Sequence, residues 1–287
     1  MAFDNAFEAL TEAHDDSRWA FGTGFEDPLS GVDTTVPSEI DGAALAAYCL
    51  MLGDDALIFS HRLQQWCTNA PELEDEVAIA NIGLDLLGQA RLLLARAGKV
   101  TGRTEDSYAF FREEREFRNV RLAELERGDF GQLIAVLLVF ATWRLSLFSR
   151  LTESADPVLA AIAAKGVKEL TYHRDYAAQW AVRLGDGTEY SHERMQAGLD
   201  GIWPYVEELF TPHAIELEVG VDPSTVRPEF DDVLARVLSA ATLVRPEIPG
   251  RAGVSGRTGR DGVHTEAMGY LLAELQSVAR AHPEATW

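Results

Sequence analysis

The chain has 287 residues, 47% of them hydrophobic, and is therefore long enough to bury a substantial core. Its 46 Asp and Glu outnumber its 25 Lys and Arg and give a formal net charge of −21, which argues against a nucleic-acid partner because phosphate binding needs a basic surface. The two cysteines, Cys49 and Cys67, lie far apart and outside any metal-binding pattern, so we expect reduced thiols rather than a disulfide or a zinc site.

The N-terminal segment, residues 1–37, is polar and contains scattered Gly, Asp and Pro. This composition predicts a loose extension, followed by a single helical domain over residues 38–287. Residues 1–16 lack the basic start and the apolar centre of a signal peptide, so we expect a cytoplasmic protein. Beyond residue 37, helical periodicity dominates and no run of alternating strand residues stands out.

Two long helices are predicted at the start of that domain. Ser38 can cap the first, which runs to about Asn69. The second runs from about Leu73 to Gly98, a glycine that can end it. This second helix is apolar nearly all round, which is typical of a helix surrounded by neighbours.

Two more long helices follow a shorter helical piece at 107–125. The third long helix, over about 130–151, contains the most apolar stretch of the chain. Because this stretch is too short to span a bilayer and Arg144 follows it, we predict a helix buried in a bundle and no membrane partner. The fourth, over about 156–184, begins with an Asp-Pro pair that suits a helix cap and first turn.

The lengths of these four helices, roughly 33 to 46 Å at about 1.5 Å per residue, are typical of a four-helix bundle. Further helices are predicted at 188–210, 223–243 and 263–281, with a long loop at 244–262. The predicted fold class is therefore all-α, a four-helix bundle with additional C-terminal helices.

A long four-helix bundle suggests a di-iron carboxylate site, which needs one Glu from each of two helices and a Glu-x-x-His from each of the other two. Asp54 and Asp55 lie near the middle of the first helix. On the second helix, Asp85 and Gly88 have the Glu-x-x-His spacing, but Gly stands where the imidazole belongs. The third helix, 130–151, contains no Asp, Glu or His.

On the fourth helix, Glu169 and Tyr172 again have this spacing, with Tyr at the histidine position. His173 comes one residue later, about 100° round the helix. Two imidazoles and at least one carboxylate are therefore missing. We predict that the chain holds no metal, no other cofactor and no catalytic residue.

Asp85 and Glu169 still need neutralising if they point into the bundle, because an isolated buried charge costs several kcal/mol. Lys165 and Lys168 lie four residues and one residue before Glu169. We predict that one of these two ammonium groups takes the place of the metal. The alternative is that both lysines are solvated on an outer face.

Other polar residues carry weaker hypotheses. The charged run 113–119 suits a partner surface or a solvated helix rather than catalysis, and His61, His192 and His213 have no nucleophile or base beside them. A separate hypothesis is that the chain binds a phosphate or a CoA ester through four arginines of the late loop: Arg245, Arg251, Arg257 and Arg260.

Several segments, in their order and spacing, resemble one family. Over roughly residues 42–287 the chain is similar to the structural, non-catalytic C subunits of the multicomponent ring-1,2-phenylacetyl-CoA epoxidases. The segments that carry the resemblance are Leu52–Ile58, His61–Leu63, Trp66–Cys67, Ala70–Glu74, Asn81–Arg91, Phe110–Asn119, Leu184–Thr188, Trp203–Tyr205 and Met268–Gln276.

The resemblance implies a ferritin-like fold and a tight complex with the homologous catalytic subunit. In that family, the catalytic subunit holds the di-iron site and binds the acyl-CoA, its structural partner stabilises it, and the complex converts phenylacetyl-CoA to a ring epoxide with O₂. Two questions stay open: whether the chain forms homodimers when isolated, and whether it is instead an independent di-iron protein or oxygenase with a non-standard ligand set.

Overall fold

The computed structural model describes residue 29 and residues 31–285. Most of the predicted loose extension, residues 1–28 and 30, lies outside the described residues. Within the described part the chain forms nine α-helices: α1 (Gly42–Gln64), α2 (Leu73–Thr101), α3 (Glu105–Phe110), α4 (Phe130–Leu151), α5 (Pro157–Gly185), α6 (Glu189–Ile202), α7 (Ala214–Val219), α8 (Arg227–Ala240) and α9 (Glu266–Ala281).

The four long helices α1, α2, α4 and α5 form the predicted bundle. α1 packs along α2, α4 packs along α5, and α2 lies beside α5. Phe59 of α1 contacts Phe140 of α4, with 4.6 Å between ring centroids. Together with the shorter helices around it, this bundle confirms the prediction of an all-α, ferritin-like fold with additional C-terminal helices.

The burial of α4 explains its composition. Asp129 caps it by accepting a hydrogen bond from Gln132 N at 2.8 Å, and nearly every side chain from Leu133 to Phe148 is buried. Three helices, α1, α2 and α4, are long and apolar enough to cross a membrane by length and composition. In this fold 78% of the apolar window of α1 and 89% of that of α4 are buried, but only 44% of that of α2, so part of α2 presents apolar side chains to the surface.

The second helix begins at Leu73 as predicted, but the predicted bounds of the first helix and the predicted end of the second were wrong. Asp41, not Ser38, caps α1, because its carboxylate accepts a hydrogen bond from Ala44 N at 2.8 Å, and α1 ends at Gln64 rather than Asn69. Helix α2 continues past Gly98 to Thr101 and is terminated by Gly102, which adopts the left-handed conformation with φ of +76°. Gly98 instead allows close packing, since a Cβ there would collide with the carbonyl oxygen of Arg103.

The helical piece predicted at 107–125 was also wrong. Helix α3 ends at Phe110, and the chain continues through two 3-10 turns, Glu114–Glu116 and Arg121–Glu124. Between these turns the backbone N–H groups of Arg118 and Val120 bond to buried carboxylates of α1. Those tertiary hydrogen bonds compete with the intrahelical ones, so the segment does not continue as a helix.

The start of α5 confirms the expected Asp-Pro signal. Asp156 caps the helix through Leu159 N at 2.8 Å, and Pro157 occupies its first turn. The same carboxylate forms a buried ion pair with Arg96 of α2, which also donates to the carbonyl oxygen of Thr34 at 2.6 Å. One arginine therefore joins α2, the start of α5 and the described end of the N-terminal segment.

The C-terminal helices cover the bundle, with shorter bounds than predicted. The predicted helix 188–210 is α6 followed by two 3-10 turns, and the predicted helix 223–243 is a 3-10 turn followed by α8. The last helix, α9, begins at Glu266 rather than Val263. Arg62 of α1 donates to the carbonyl oxygen of Ala267 at 3.1 Å, which attaches α9 to the bundle.

Candidate functional site

Helix α1 places two adjacent carboxylates, Asp54 and Asp55, in the bundle interior, where both are fully buried. Arg112 forms a bidentate ion pair with Asp54, with Nη1 donating to Oδ2 at 2.9 Å and Nη2 bonded to Oδ1. Arg118 N donates to the same Oδ2 at 2.9 Å. Three N–H donors therefore occupy this carboxylate, and one of its partners is a charge that neutralises it.

Asp55 has an equally complete set of partners. It accepts hydrogen bonds from Val120 N at 2.8 Å and from Arg260 Nη1 and Nη2 at 2.9 and 3.0 Å. Glu216 lies 3.5 Å from Arg260 Nε. Burial acts to lower the pKa of Arg260, but the charges of Asp55 and Glu216 outweigh it and raise that pKa above its ordinary value, so Arg260 stays a cation.

A single arginine of α4, Arg144, lies between the helices. It is fully buried; its Nε donates to Gln89 Oε1 at 3.0 Å, and its Nη2 donates to the carbonyl oxygen of Leu52 at 3.1 Å. Its Nη1 lies 3.9 Å from Asp55 Oδ2. Burial lowers the pKa of Arg144 to about 10, so the group remains charged at neutral pH.

Gln89 links Glu169 of α5 to Arg144, because its side-chain amide bonds to both residues. Gln89 Nε2 donates to Glu169 Oε2 at 2.9 Å, and Lys165 forms an ion pair with Oε1. A Cβ on Gly88 would lie 3.9 Å from Lys165 Nζ, so the missing side chain leaves room beside the ammonium group. Lys168 is exposed. Of the two predicted lysines, Lys165 is the one that contacts Glu169.

Asp85 has a different partner from Glu169. Its Oδ2 lies 3.0 Å from Nε2 of His173, which is buried on α5, while Asp85 itself is partly exposed. Tyr172, at the position where the spacing calls for histidine, is 52% exposed and faces outward. The two acids predicted to share one lysine therefore have separate partners.

These residues do not fit a pair of iron ions. The oxygens of Asp54 and Asp55 already accept hydrogen bonds from arginines and backbone N–H groups, α4 offers no carboxylate or imidazole, and the fixed charge of Arg144 would repel a cation. Across the described ranges, no group of three or more His, Cys, Asp or Glu is arranged to hold a metal ion. The buried acids of α1 are held in internal ion pairs.

Sequence reasoning did not assign Arg144, Gln89, Arg112 or Arg260 to this site. The available signal was Arg144 itself, the one charged residue between Phe130 and Ser149. A lone arginine in a helix that is buried on all sides must have partners in the interior. The pairing of Arg112 and Arg260 with α1 joins residues 58 and 205 positions apart, which no local pattern encodes.

The late arginines do not form a shared anion site. Arg260 is buried against Asp55, and the other three bond to different neighbours: Arg245 to Asp231, Arg251 to the Tyr205 hydroxyl, and Arg257 to the carbonyl oxygen of Asp261. The three isolated histidines, His61, His192 and His213, contact Glu274, the carbonyl oxygen of Gly185 and Asp261 in turn. Within the charged run 113–119, Arg118 and Asn119 are held by internal hydrogen bonds.

Comparison with known proteins gives two matches. The family described as phenylacetic acid catabolic protein matches residues 31–287. The chain is also 43% identical over 250 residues to the C subunit of 1,2-phenylacetyl-CoA epoxidase from Escherichia coli (strain K12), an alignment that covers 85% of this chain and 99% of that protein.

Proposed function

The chain belongs to the phenylacetic acid catabolic protein family, and from that membership we propose that it is the structural, non-catalytic subunit of a phenylacetyl-CoA 1,2-epoxidase complex. Its partner in this proposal is the homologous catalytic subunit, which holds the di-iron centre and binds the acyl-CoA. The epoxidase relative supports a role in such a complex, because it is similar to this chain over nearly its whole length.

The observation that carries the non-catalytic assignment is the buried guanidinium of Arg144. It lies among α1, α2 and α5, where bundles of this architecture place metal-binding carboxylates and histidines. A permanent cation there takes the place of charge that a metal would supply. The buried acids therefore stabilise the fold and need no ion.

The same ion pairs support a scaffolding role. Arg112 and Arg260 bind the α3–α4 connection and the late loop to α1, and each interaction is buried and specific in geometry. A chain held in this way can present a fixed surface to a partner. We place its work in the cytoplasm, with no cofactor of its own.

Reconstitution tests the proposal. The organism's own catalytic subunit is expressed with and without this chain. Epoxide formation from phenylacetyl-CoA is then measured in the presence of O₂ and of the reductase that supplies electrons to the complex. We expect the two proteins to co-purify and activity to depend on the presence of this chain. If the chain neither binds the catalytic subunit nor affects its turnover, the proposal is wrong.

A variant separates scaffolding from chemistry. Glu169→Gln removes the negative charge of the acid that has the Glu-x-x-His spacing on α5, and it leaves Lys165 without its carboxylate partner. We expect less assembled complex but an unchanged kcat per assembled complex. A fully assembled Glu169→Gln complex with a turnover lowered by about a hundredfold would instead place this residue in the reaction.

A further inference from the structure

The outer surface of α2 and α5 carries several exposed apolar side chains. The two helices lie side by side, as shown by the contacts of Asp85 with His173 and of Gln89 with Glu169. Their outward residues therefore form one surface, which we call the α2–α5 face. It is defined by Leu73, Val77, Leu84, Lys168 and Tyr172.

The α2–α5 face is apolar and exposed. Leu73, Val77 and Leu84 are 70%, 53% and 57% exposed, and their spacing of four and seven residues places them in one stripe along α2. Tyr172, beside them on α5, is 52% exposed. Such a stripe on a helix of high mean hydropathy is typical of a surface that another protein covers.

The charge of the two helices that carry this face also differs from that of the chain. Helices α2 and α5 together contain seven Lys and Arg against six Asp and Glu, whereas the whole chain contains 25 against 46. All three lysines of the chain, Lys99, Lys165 and Lys168, belong to these two helices. The remaining surface is strongly acidic and repels other acidic proteins.

From these observations we infer that the α2–α5 face is the surface that binds the catalytic subunit of the complex, an inference that rests on the proposed function. The apolar stripe fits an apolar helical surface, and the exposed Lys168 fits an Asp or Glu at the border of that surface. A second copy of this chain is a poorer occupant, because each copy carries a formal charge of −21 and two copies therefore repel each other.

The test compares substitutions that place a charge on different apolar surfaces of the full-length chain. Val77→Asp and Leu84→Asp alter the face, and Val278→Asp on α9 is the matched control because Val278 is 55% exposed. Affinity for the purified catalytic subunit is measured by titration calorimetry, and folding of each variant is checked by circular dichroism and thermal unfolding.

We expect Val77→Asp and Leu84→Asp each to weaken binding at least about tenfold, with Val278→Asp within about twofold of the wild type. Lys168→Glu should also weaken binding and make it less sensitive to added salt, since it removes an attractive charge. Thermal unfolding should be nearly unchanged, because all four side chains are exposed.

Three outcomes overturn the inference. If the wild-type chain binds the catalytic subunit while the face variants bind it equally well, the partner uses another surface and only this inference fails. If the chain alone forms a dimer that Leu84→Asp dissociates with no effect on the complex, the occupant is a second copy. Sedimentation of the wild type, but not of Leu84→Asp, with anionic phospholipid vesicles would assign the face to a membrane. A wild-type chain that never binds the catalytic subunit refutes the proposed function itself.

Discussion

At the scale of single residues, the buried charged groups of this protein have buried partners, and the loss of such a group should be costly. Arg144 is the clearest case, because Gln89 and the carbonyl oxygen of Leu52 depend on it. We predict that Arg144→Met lowers the free energy of unfolding by about 3 kcal/mol, since each buried acceptor left without a donor costs about 1–3 kcal/mol. Urea unfolding followed by circular dichroism measures this change.

Lys165→Met provides the control for Arg144. The Lys165 side chain is one-third exposed, and Glu169 keeps its hydrogen bond from Gln89, so we expect a loss of at most about 1 kcal/mol. Equal destabilisation by the two substitutions would show that Arg144 has no special role in the interior.

A second residue-scale prediction concerns His264. Its Nδ1 lies 2.7 Å from Glu124 Oε2 and its Nε2 lies 3.2 Å from the carbonyl oxygen of Phe117, so both ring nitrogens face acceptors, an arrangement that favours the protonated ring. Burial acts to lower the pKa of His264, but the hydrogen bond and charge of Glu124 raise it above its ordinary value. The stabilisation is therefore complete below about pH 6.5 and is lost as the pH rises through the folded-state pKa.

We expect the wild type to be more stable than His264→Gln by the largest margin near pH 6, with a margin that shrinks toward pH 9. This stability difference is measured from the urea unfolding midpoints of both proteins between pH 6 and pH 9. Comparing the two proteins at each pH removes the contribution of the titrating groups that they share. A margin that grows with pH would mean that the imidazole is neutral in the folded protein.

At the scale of helices, close approach rather than propensity decides the role of Gly166. A Cβ at this position of α5 would lie 2.6 Å from a ring carbon of the fully buried Phe148 on α4, whereas a Cβ at Gly201 of α6 would meet nothing within 4 Å. We predict that Gly166→Ala destabilises the protein by about 1–3 kcal/mol. Gly201→Ala should stabilise it by up to about 1 kcal/mol, because alanine loses less backbone entropy in a helix.

Chemical unfolding of the two glycine variants under the same conditions gives both numbers. We expect the change in the free energy of unfolding to have opposite signs for Gly166→Ala and Gly201→Ala. If Gly166→Ala were as stable as the wild type, α4 and α5 would be packed less closely than the structure shows.

The long helices were predictable from the sequence because their causes are local. Asp156 and Pro157 signal the start of α5 within two residues, and the apolar composition of α4 indicates burial on all sides. The segment 107–125 was not predictable, since it departs from a helix to bond with Asp54 and Asp55, more than sixty positions earlier for the bonding amides. Local propensity cannot anticipate hydrogen bonds of that range.

The candidate site was predictable only in part for the same reason. Spacing along single helices brought Asp85, Gly88, Glu169 and Tyr172 to attention and showed which donors were missing. It did not reveal that Arg144 lies among the helices, because the sequence does not state which neighbours a buried side chain meets. It also assigned one lysine to two acids, whereas His173 is the partner of Asp85.

At the scale of the whole molecule, the charge distribution and the interior lead to one account. A strongly acidic chain carries an exposed apolar stripe on α2, and the buried carboxylates of α1 are paired with arginines. In the proposed function, such a protein holds a partner in place. Its contribution to the reaction would then be made through the shape and stability of the assembly.

The central claim is that this bundle binds no redox metals, and iron quantification tests it most directly. The full-length chain is purified alone, incubated anaerobically with excess Fe(II), desalted and analysed by inductively coupled plasma mass spectrometry, with the proposed catalytic partner treated in parallel. The account predicts at most about 0.1 iron per copy of this chain and about two per copy of the catalytic partner. About two irons per copy of this chain would contradict it.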